Sequence, residues 1–129
     1  DTKNKFIELI NHPYISRVSF LGGEPLADEN VGTVFKIIEE IRSIYPDKKI
    51  WLYTGYVWEY IFRETSSYIS KDSVTNFKRR ETIKLCNIVV DGQFINSQKN
   101  MNLRFKGSSN QRVIDVQKSL EQNKVILHK

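Results

Sequence analysis

Four glycine-bearing stretches hold the residue types that could do chemistry: Gly22-Gly23-Glu24-Pro25, Thr54-Gly55-Tyr56, Asp91-Gly92 and Gly107-Ser108-Ser109-Asn110. In the first, two glycines allow a second molecule to approach the backbone, and the proline sets the exit direction. Backbone carbonyls beside the Glu24 carboxylate suit an ammonium group. Asp91 supplies a second carboxylate. The fourth stretch precedes what we read as a helix, residues 111–122, so its free N–H groups suit a carboxylate or phosphate. From Gly92 to Ile114 there are four cations, Lys99, Arg104, Lys106 and Arg112, and no acidic residue. Together these groups fit a zwitterion with an anionic end.

Each stretch also has a plainer reading. Gly-Gly-Glu-Pro works as a turn, Asp-Gly is a common turn dipeptide, and Ser-Ser-Asn often caps a helix. Lys78-Arg79-Arg80 reads as a solvated helix face. Trp51 and Trp58 read as packing residues, His12 as a helix stop, His128 as a tail residue and Cys86 as inert core. The sequence holds no Gly-x-Ser-x-Gly elbow, Walker A loop or Cys-x-x-Cys pair.

The elements that must position these residues follow from periodicity. The apolar run at residues 17–21 is a strand that empties into the first glycine loop. Residues 49–54, rich in aromatic and β-branched types, form a second strand ending at Thr54-Gly55-Tyr56, and residues 87–90 a third ending at Asp91-Gly92. Between the first two, Val31, Val34, Phe35, Ile38, Ile41 and Tyr45 recur at helical spacing after Asn30, a candidate N-cap. Strand–helix–strand order implies parallel strands and right-handed crossovers. In such a sheet, ligands sit at the carboxyl ends of the strands. We expect further helices at 3–11 (stopped by His12-Pro13), 57–63 and 72–84, and a polar loop at 66–71. Short strands are expected at Leu103-Arg104-Phe105 and at 125–127.

The bulk properties bound the rest. At 129 residues, a single domain spanning 1–129 is expected. A net charge of +5 fits anionic partners without requiring nucleic acid, and no apolar run is long enough for a membrane helix. One cysteine excludes an internal disulfide and suggests a reducing, cytoplasmic location. The chain opens on Asp1 rather than Met, and we expect sequence upstream of it.

Taken in order, four stretches carry a resemblance: Leu21-Gly22-Gly23-Glu24-Pro25-Leu26; Ile50-Trp51-Leu52-Tyr53-Thr54-Gly55-Tyr56; Val90-Asp91-Gly92-Gln93-Phe94; and Leu103-Arg104-Phe105-Lys106-Gly107-Ser108-Ser109-Asn110-Gln111-Arg112. They resemble the radical S-adenosylmethionine (SAM) enzymes, and within them the small glycyl-radical activating family that serves anaerobic ribonucleoside-triphosphate reductase. The resemblance implies an α/β fold with a mainly parallel sheet, part of an open (β/α) barrel lacking its first strand. It implies a [4Fe-4S] cluster that binds SAM through the amino and carboxylate groups. One-electron reduction, from a donor such as a flavodoxin, then cleaves SAM, and the resulting radical takes a hydrogen atom from a glycine of the reductase. By this resemblance Gly22, Gly23, Glu24 and Pro25 hold the SAM amino group. Thr54, Asp91, Ser108 and Asn110 are further cofactor contacts, and Lys106 or Arg112 meets an anion.

The family holds its cluster with three cysteines spaced Cys-x-x-x-Cys-x-x-Cys, upstream of the first helix seen here. This chain has only Cys86, so we expect the cluster segment and first strand to lie outside it, and the chain alone to be inactive. Residues 60–85 are longer than the family's usual link and carry no assignment. An exposed edge beside a missing strand predicts self-association. Membrane and nucleic-acid partners are not expected. Two alternatives stay open: a non-catalytic anion- or nucleotide-binding α/β module built on the Gly107 loop, and an activator of another glycyl-radical enzyme such as a formate lyase.

Overall fold

The computed structural model describes residues 16–63 and 71–129. The expected helix at 3–11, its His12-Pro13 stop and nearly all of the loop at 66–71 lie outside the described residues. The first strand, β1 (Arg17–Phe20), leads through the glycine loop to helix α1 (Val31–Ile44) and strand β2 (Lys49–Tyr53). Helices α2 (Trp58–Phe62) and α3 (Lys71–Lys84) then lead to β3 (Ile88–Asp91). A 3-10 turn (Asn96–Gln98), strand β4 (Arg112–Asp115) and helix α4 (Val116–Gln122) complete the order.

The four strands form one open sheet in the order β1-β2-β3-β4. β1, β2 and β3 are parallel, with Phe20 beside Leu52 and Leu52 beside Val89. β4 runs antiparallel to β3, pairing Val89 with Ile114 and Asp91 with Arg112. The fold is therefore α/β with a mostly parallel sheet, as its strand–helix alternation requires.

Strands covered on both faces read as continuous apolar runs rather than alternating ones, and β2 and β3 do. On one face Val18, Ile50, Leu52, Val89 and Ile114 pack against Ile38 and Ile41 of α1, Ile61 of α2, Ile83 of α3 and Val116 of α4. The other face carries a smaller cluster of Trp51, Ile88 and Val90, covered by Tyr53, Phe105 and Val113. There the Arg17 guanidinium lies 4.3 Å from the centre of the Trp51 ring. Trp51 and Trp58 are both buried, as expected of packing residues.

Four expectations are corrected. Residues 111–122 are not one helix: Arg112–Asp115 is strand β4, and α4 begins only at Val116. The β-branched Val113 and Ile114 fit either state. The free edge of β3 decides between them, because ladder pairing and burial of Ile114 outweigh helical periodicity. Asp115 becomes the N-cap of α4, its carboxylate accepting from Lys118 N at 3.0 Å. Leu103-Arg104-Phe105 is not a strand: Phe105 has φ 69°, outside the β region, and its ring turns onto Trp51 at 4.9 Å. Asn30 stands at the start of α1 but makes no side-chain cap bond. It donates instead to Glu24 O at 2.9 Å. The expected strand at 125–127 is reduced to one bridge, Leu127 beside Ile114.

Candidate functional site

β1, β2 and β3 all end at the same edge, so their three glycine loops are neighbours. Gly22 and Gly23 follow β1 with φ of 76° and 46°, angles that side-chain-bearing residues avoid. A Cβ added to either would meet open space. Backbone angle, not crowding, therefore calls for glycine here. Both are exposed, and among the described residues neither uses its backbone N–H or carbonyl in a hydrogen bond. Pro25 and Leu26 are buried behind them.

Glu24 joins this loop to the next. Its Oε2 accepts from Leu26 N at 2.9 Å and from the Thr54 hydroxyl at 2.8 Å, and its Oε1 accepts from Gly55 N at 2.6 Å. Tyr56 N in turn donates to Thr54 Oγ1 at 3.1 Å. Space is tight at Gly55: a Cβ there would lie 3.2 Å from Glu24 Oε1 and 3.4 Å from Gln93 Cγ, so these side chains would have to give by a few tenths of an ångström.

The chain of contacts continues across the edge. Gly92, with φ 96°, donates its N–H to Tyr56 O at 3.0 Å. Gly92 O accepts from Gln111 Nε2, and Gln93 O accepts from Asn110 Nδ2. Ser108 is fully buried. Its hydroxyl donates to Asn110 Oδ1 at 2.6 Å and accepts from Ile95 N at 3.2 Å. All eight residues picked from sequence, Gly22, Gly23, Glu24, Pro25, Thr54, Asp91, Ser108 and Asn110, thus lie in or beside the loops at this one edge, which hydrogen bonds of Glu24, Thr54, Gly92, Ser108 and Asn110 join.

They do not all face outward. Thr54, Asp91 and Ser108 are buried, at 5%, 1% and 0% exposure. The Asp91 carboxylate accepts from Arg112 Nε at 3.0 Å, from an Arg112 terminal nitrogen at 2.6 Å and from Trp58 N at 2.8 Å. It caps α2 and closes a fork with Arg112. Arg112 also grips Glu59 at 2.6 and 3.0 Å. Hydrogen bonds to Asp91 and Glu59 hold the Arg112 guanidinium well above its usual pKa. The Arg112 hydrogen bond likewise lowers the Glu59 carboxyl below its ordinary range. Arg112 is thus committed to two carboxylates rather than offered to an anion.

The expected anion cap is also corrected. The Gly107 loop opens strand β4, not a helix. The N–H groups of Gly107 and Ser108 both donate to Gln111 Oε1, at 2.9 and 3.1 Å. Lys106 reaches the backbone oxygens of Gln111 and Ser109.

Arg79 was not legible as a site residue. It reads in sequence as one of three solvated cations, yet it is 2% exposed. It donates to Leu26 O at 2.7 Å, Asn76 Oδ1 at 2.7 Å, and Asp28 Oδ1 and the Tyr56 hydroxyl at 2.9 Å each. The signal that separates it from Lys78 is its place on α3: four residues before Ile83 and three after Asn76, it shares their buried face. Burial raises the Tyr56 phenol pKa, and Arg79 works against that rise.

Cluster ligands are a separate question. A [4Fe-4S] cluster is held by cysteine thiolates. Cys86, the chain's one cysteine, is buried, donates to Thr82 O, and has its thiol pushed up to about 12 by burial. Among the described residues no group of three or more His, Cys, Asp or Glu could hold a metal. These residues do not fit such a cluster. Gly22 and Gly23, whose carbonyls accept no hydrogen bond among the described residues, precede the Glu24 carboxylate in the chain, and such a set of acceptors fits an ammonium group.

The fold and the glycine loops together define an α/β domain whose three glycine loops gather at the carboxyl edge of the sheet, and sequence comparison supplies its class. The profile of the 4Fe-4S single cluster domain family matches residues 1–114, and the chain belongs to that family. Among its relatives is a protein of Escherichia coli (strain K12) named anaerobic ribonucleoside-triphosphate reductase-activating protein. It is 32% identical over 111 residues, 84% of this chain and 63% of that protein. Proteins of the same name occur in Salmonella typhimurium, 31% identical over 86% of this chain and 64% of theirs, and in Enterobacteria phage T4, 29% identical over 87% and 63%. The chain therefore spans a little under two-thirds of the length of these relatives. No solved structure matches.

Proposed function

We propose that this chain is the SAM-binding body of a radical SAM enzyme that activates anaerobic ribonucleotide reductase by forming a glycyl radical on it. One observation carries the reading: the carbonyls of Gly22 and Gly23, unbonded among the described residues, follow the carboxyl end of β1 and precede in the chain a carboxylate fixed by three donors. The names of the relatives supply the partner, and β1 to β3 are read as consecutive strands of an open (β/α) barrel.

In this reading the two glycine carbonyls accept from the SAM ammonium. Glu24 Oε1 already accepts from Gly55 N and keeps capacity for a second donor. Its negative charge opposes the ammonium's positive one without a change of geometry on binding. Thr54, Asp91, Ser108 and Asn110 work one layer back and hold the loops in register. Bound SAM would supply the means of hydrogen-atom abstraction from a glycine of the reductase. The cluster's thiolates are proposed to come from sequence outside these 129 residues.

The test is anaerobic iron–sulfur reconstitution of the full-length protein, followed by incubation with SAM, a strong reductant and the reductase. Formation of 5′-deoxyadenosine and a glycyl-radical signal on the reductase is expected. Absence of both, with iron bound, would sink the reading.

A further inference from the structure

The hydrogen bonds around Glu24 form a closed circuit. It runs from the Glu24 carboxylate to Leu26 N, from Leu26 O to Arg79, from Arg79 to the Tyr56 hydroxyl, from Tyr56 N to Thr54 Oγ1, and back to Glu24. Four of its members belong to the glycine loops. The fifth, Arg79, comes from α3, 53 positions beyond Leu26.

A guanidinium this deeply buried is unfavourable unless its N–H groups are met. Here Leu26, Asn76, Asp28 and Tyr56 meet them, and the guanidinium carbon also lies 4.2 Å from the centre of the Tyr56 ring. Leu26 is the pivot. Its N–H donates to Glu24 and its carbonyl accepts from Arg79. The peptide planes on either side of it are therefore held from both directions. Lys78 and Arg80 take no part. Lys78 is exposed, and Arg80 donates to Ile61 O at the far end of α2.

Resting on the function proposed above, we propose that Arg79 is a positioning residue for the amino-acid end of SAM. It fixes the plane of the Glu24 carboxylate through Leu26 and Tyr56, and with it the direction of the Gly22 and Gly23 carbonyls. It touches the loops and not the ligand. The α3 segment, which carries no assignment from sequence, becomes the back wall of the site.

Two readouts test this in the full-length protein: hydrogen exchange at the Leu26 and Gly55 amides, both donors to Glu24, and the dissociation constant for SAM. Arg79→Lys keeps the charge but loses the planar fork. It is expected to speed both exchanges and weaken SAM binding by about tenfold or more, the effect of losing one or two hydrogen bonds to a charged group. Tyr56→Phe deletes one hydroxyl and is expected to change both by about threefold. It decides the matter if Arg79→Lys does not fold. Lys78→Met is expected to change neither. Variants that melt earlier, yet keep native exchange at those two amides and native SAM affinity when folded, would overturn the proposal. If the native protein binds no SAM, the function proposed above falls, while the exchange comparison still decides whether Arg79 clamps the loop.

Discussion

At the scale of single residues, polar atoms at this edge divide by whether the chain has already used them. Asp91 looks like a ligand residue in sequence, yet its two oxygens receive three donors from Arg112 and Trp58. Gly22 and Gly23 carry no side chain, and among the described residues their carbonyls accept no hydrogen bond. Cys86 shows the same logic for a thiol. Burial lifts it from 9.0 to about 12, and only the thiolate is a nucleophile. We expect no alkylation of Cys86 by iodoacetamide at pH 8 in the folded protein and rapid alkylation in denaturant, read by mass spectrometry. The folded pKa is raised, so the stability this thiol contributes is present below the unfolded value and lost as pH rises through the window from about 9 to about 12. Over that window Cys86→Ala, which has no thiol to ionise, is expected to lose less stability than the native protein in urea titrations.

At the scale of elements, the loops depend on close approach between neighbouring strand ends. The Gly55 site leaves 3.2 Å to Glu24 Oε1 and 3.4 Å to Gln93 Cγ. Gly55→Ala is expected to push the carboxylate away and lengthen its bond to Gly55 N. The expected cost is about 1–2 kcal/mol, from overpacking and a weakened charged hydrogen bond. Gly23→Ala meets open space but must hold φ 46°, a cost of about 1 kcal/mol. Chemical denaturation separates the two by cause. Adding a second substitution, Gln93→Ala, should recover part of the Gly55→Ala loss and none of the Gly23→Ala loss.

At the scale of the whole molecule, the two edges of the sheet have different work. The amino edge is fastened by Arg42 of α1. It donates to Leu85 O at 2.7 Å, to Lys48 O at 2.8 Å and to the Asn87 side chain, which also accepts from Ile50 N. Burial lowers the Arg42 pKa. Arg42→Met is expected to cost about 1–3 kcal/mol in denaturant titrations, since it strands several carbonyls. SAM affinity of the remaining folded protein should stay unchanged. Substitutions at the carboxyl edge should act the other way, moving affinity at least as much as stability.

Sequence alone determined the strand–helix alternation and the three strand ends that carry glycine. The physical reason is local. An apolar run, a helical repeat and a positive-φ glycine are each specified by residues close together in the chain. It also determined that the Gly22-Gly23-Glu24-Pro25 loop stands at the carboxyl edge of the parallel strands. The tertiary structure decided what no local pattern contains. Residues 112–115 became strand because β3 had an open edge to fill. The N–H groups of Gly107 and Ser108 were taken by Gln111, which removed the anion cap. Arg79 moved from a solvated cation to a buried position behind the glycine loops because Leu26 O, Asp28 and Tyr56, far from it in sequence, offered acceptors where α3 passes. Whether a polar group is free or committed depends on partners distant in the chain, and only the folded molecule brings those partners together.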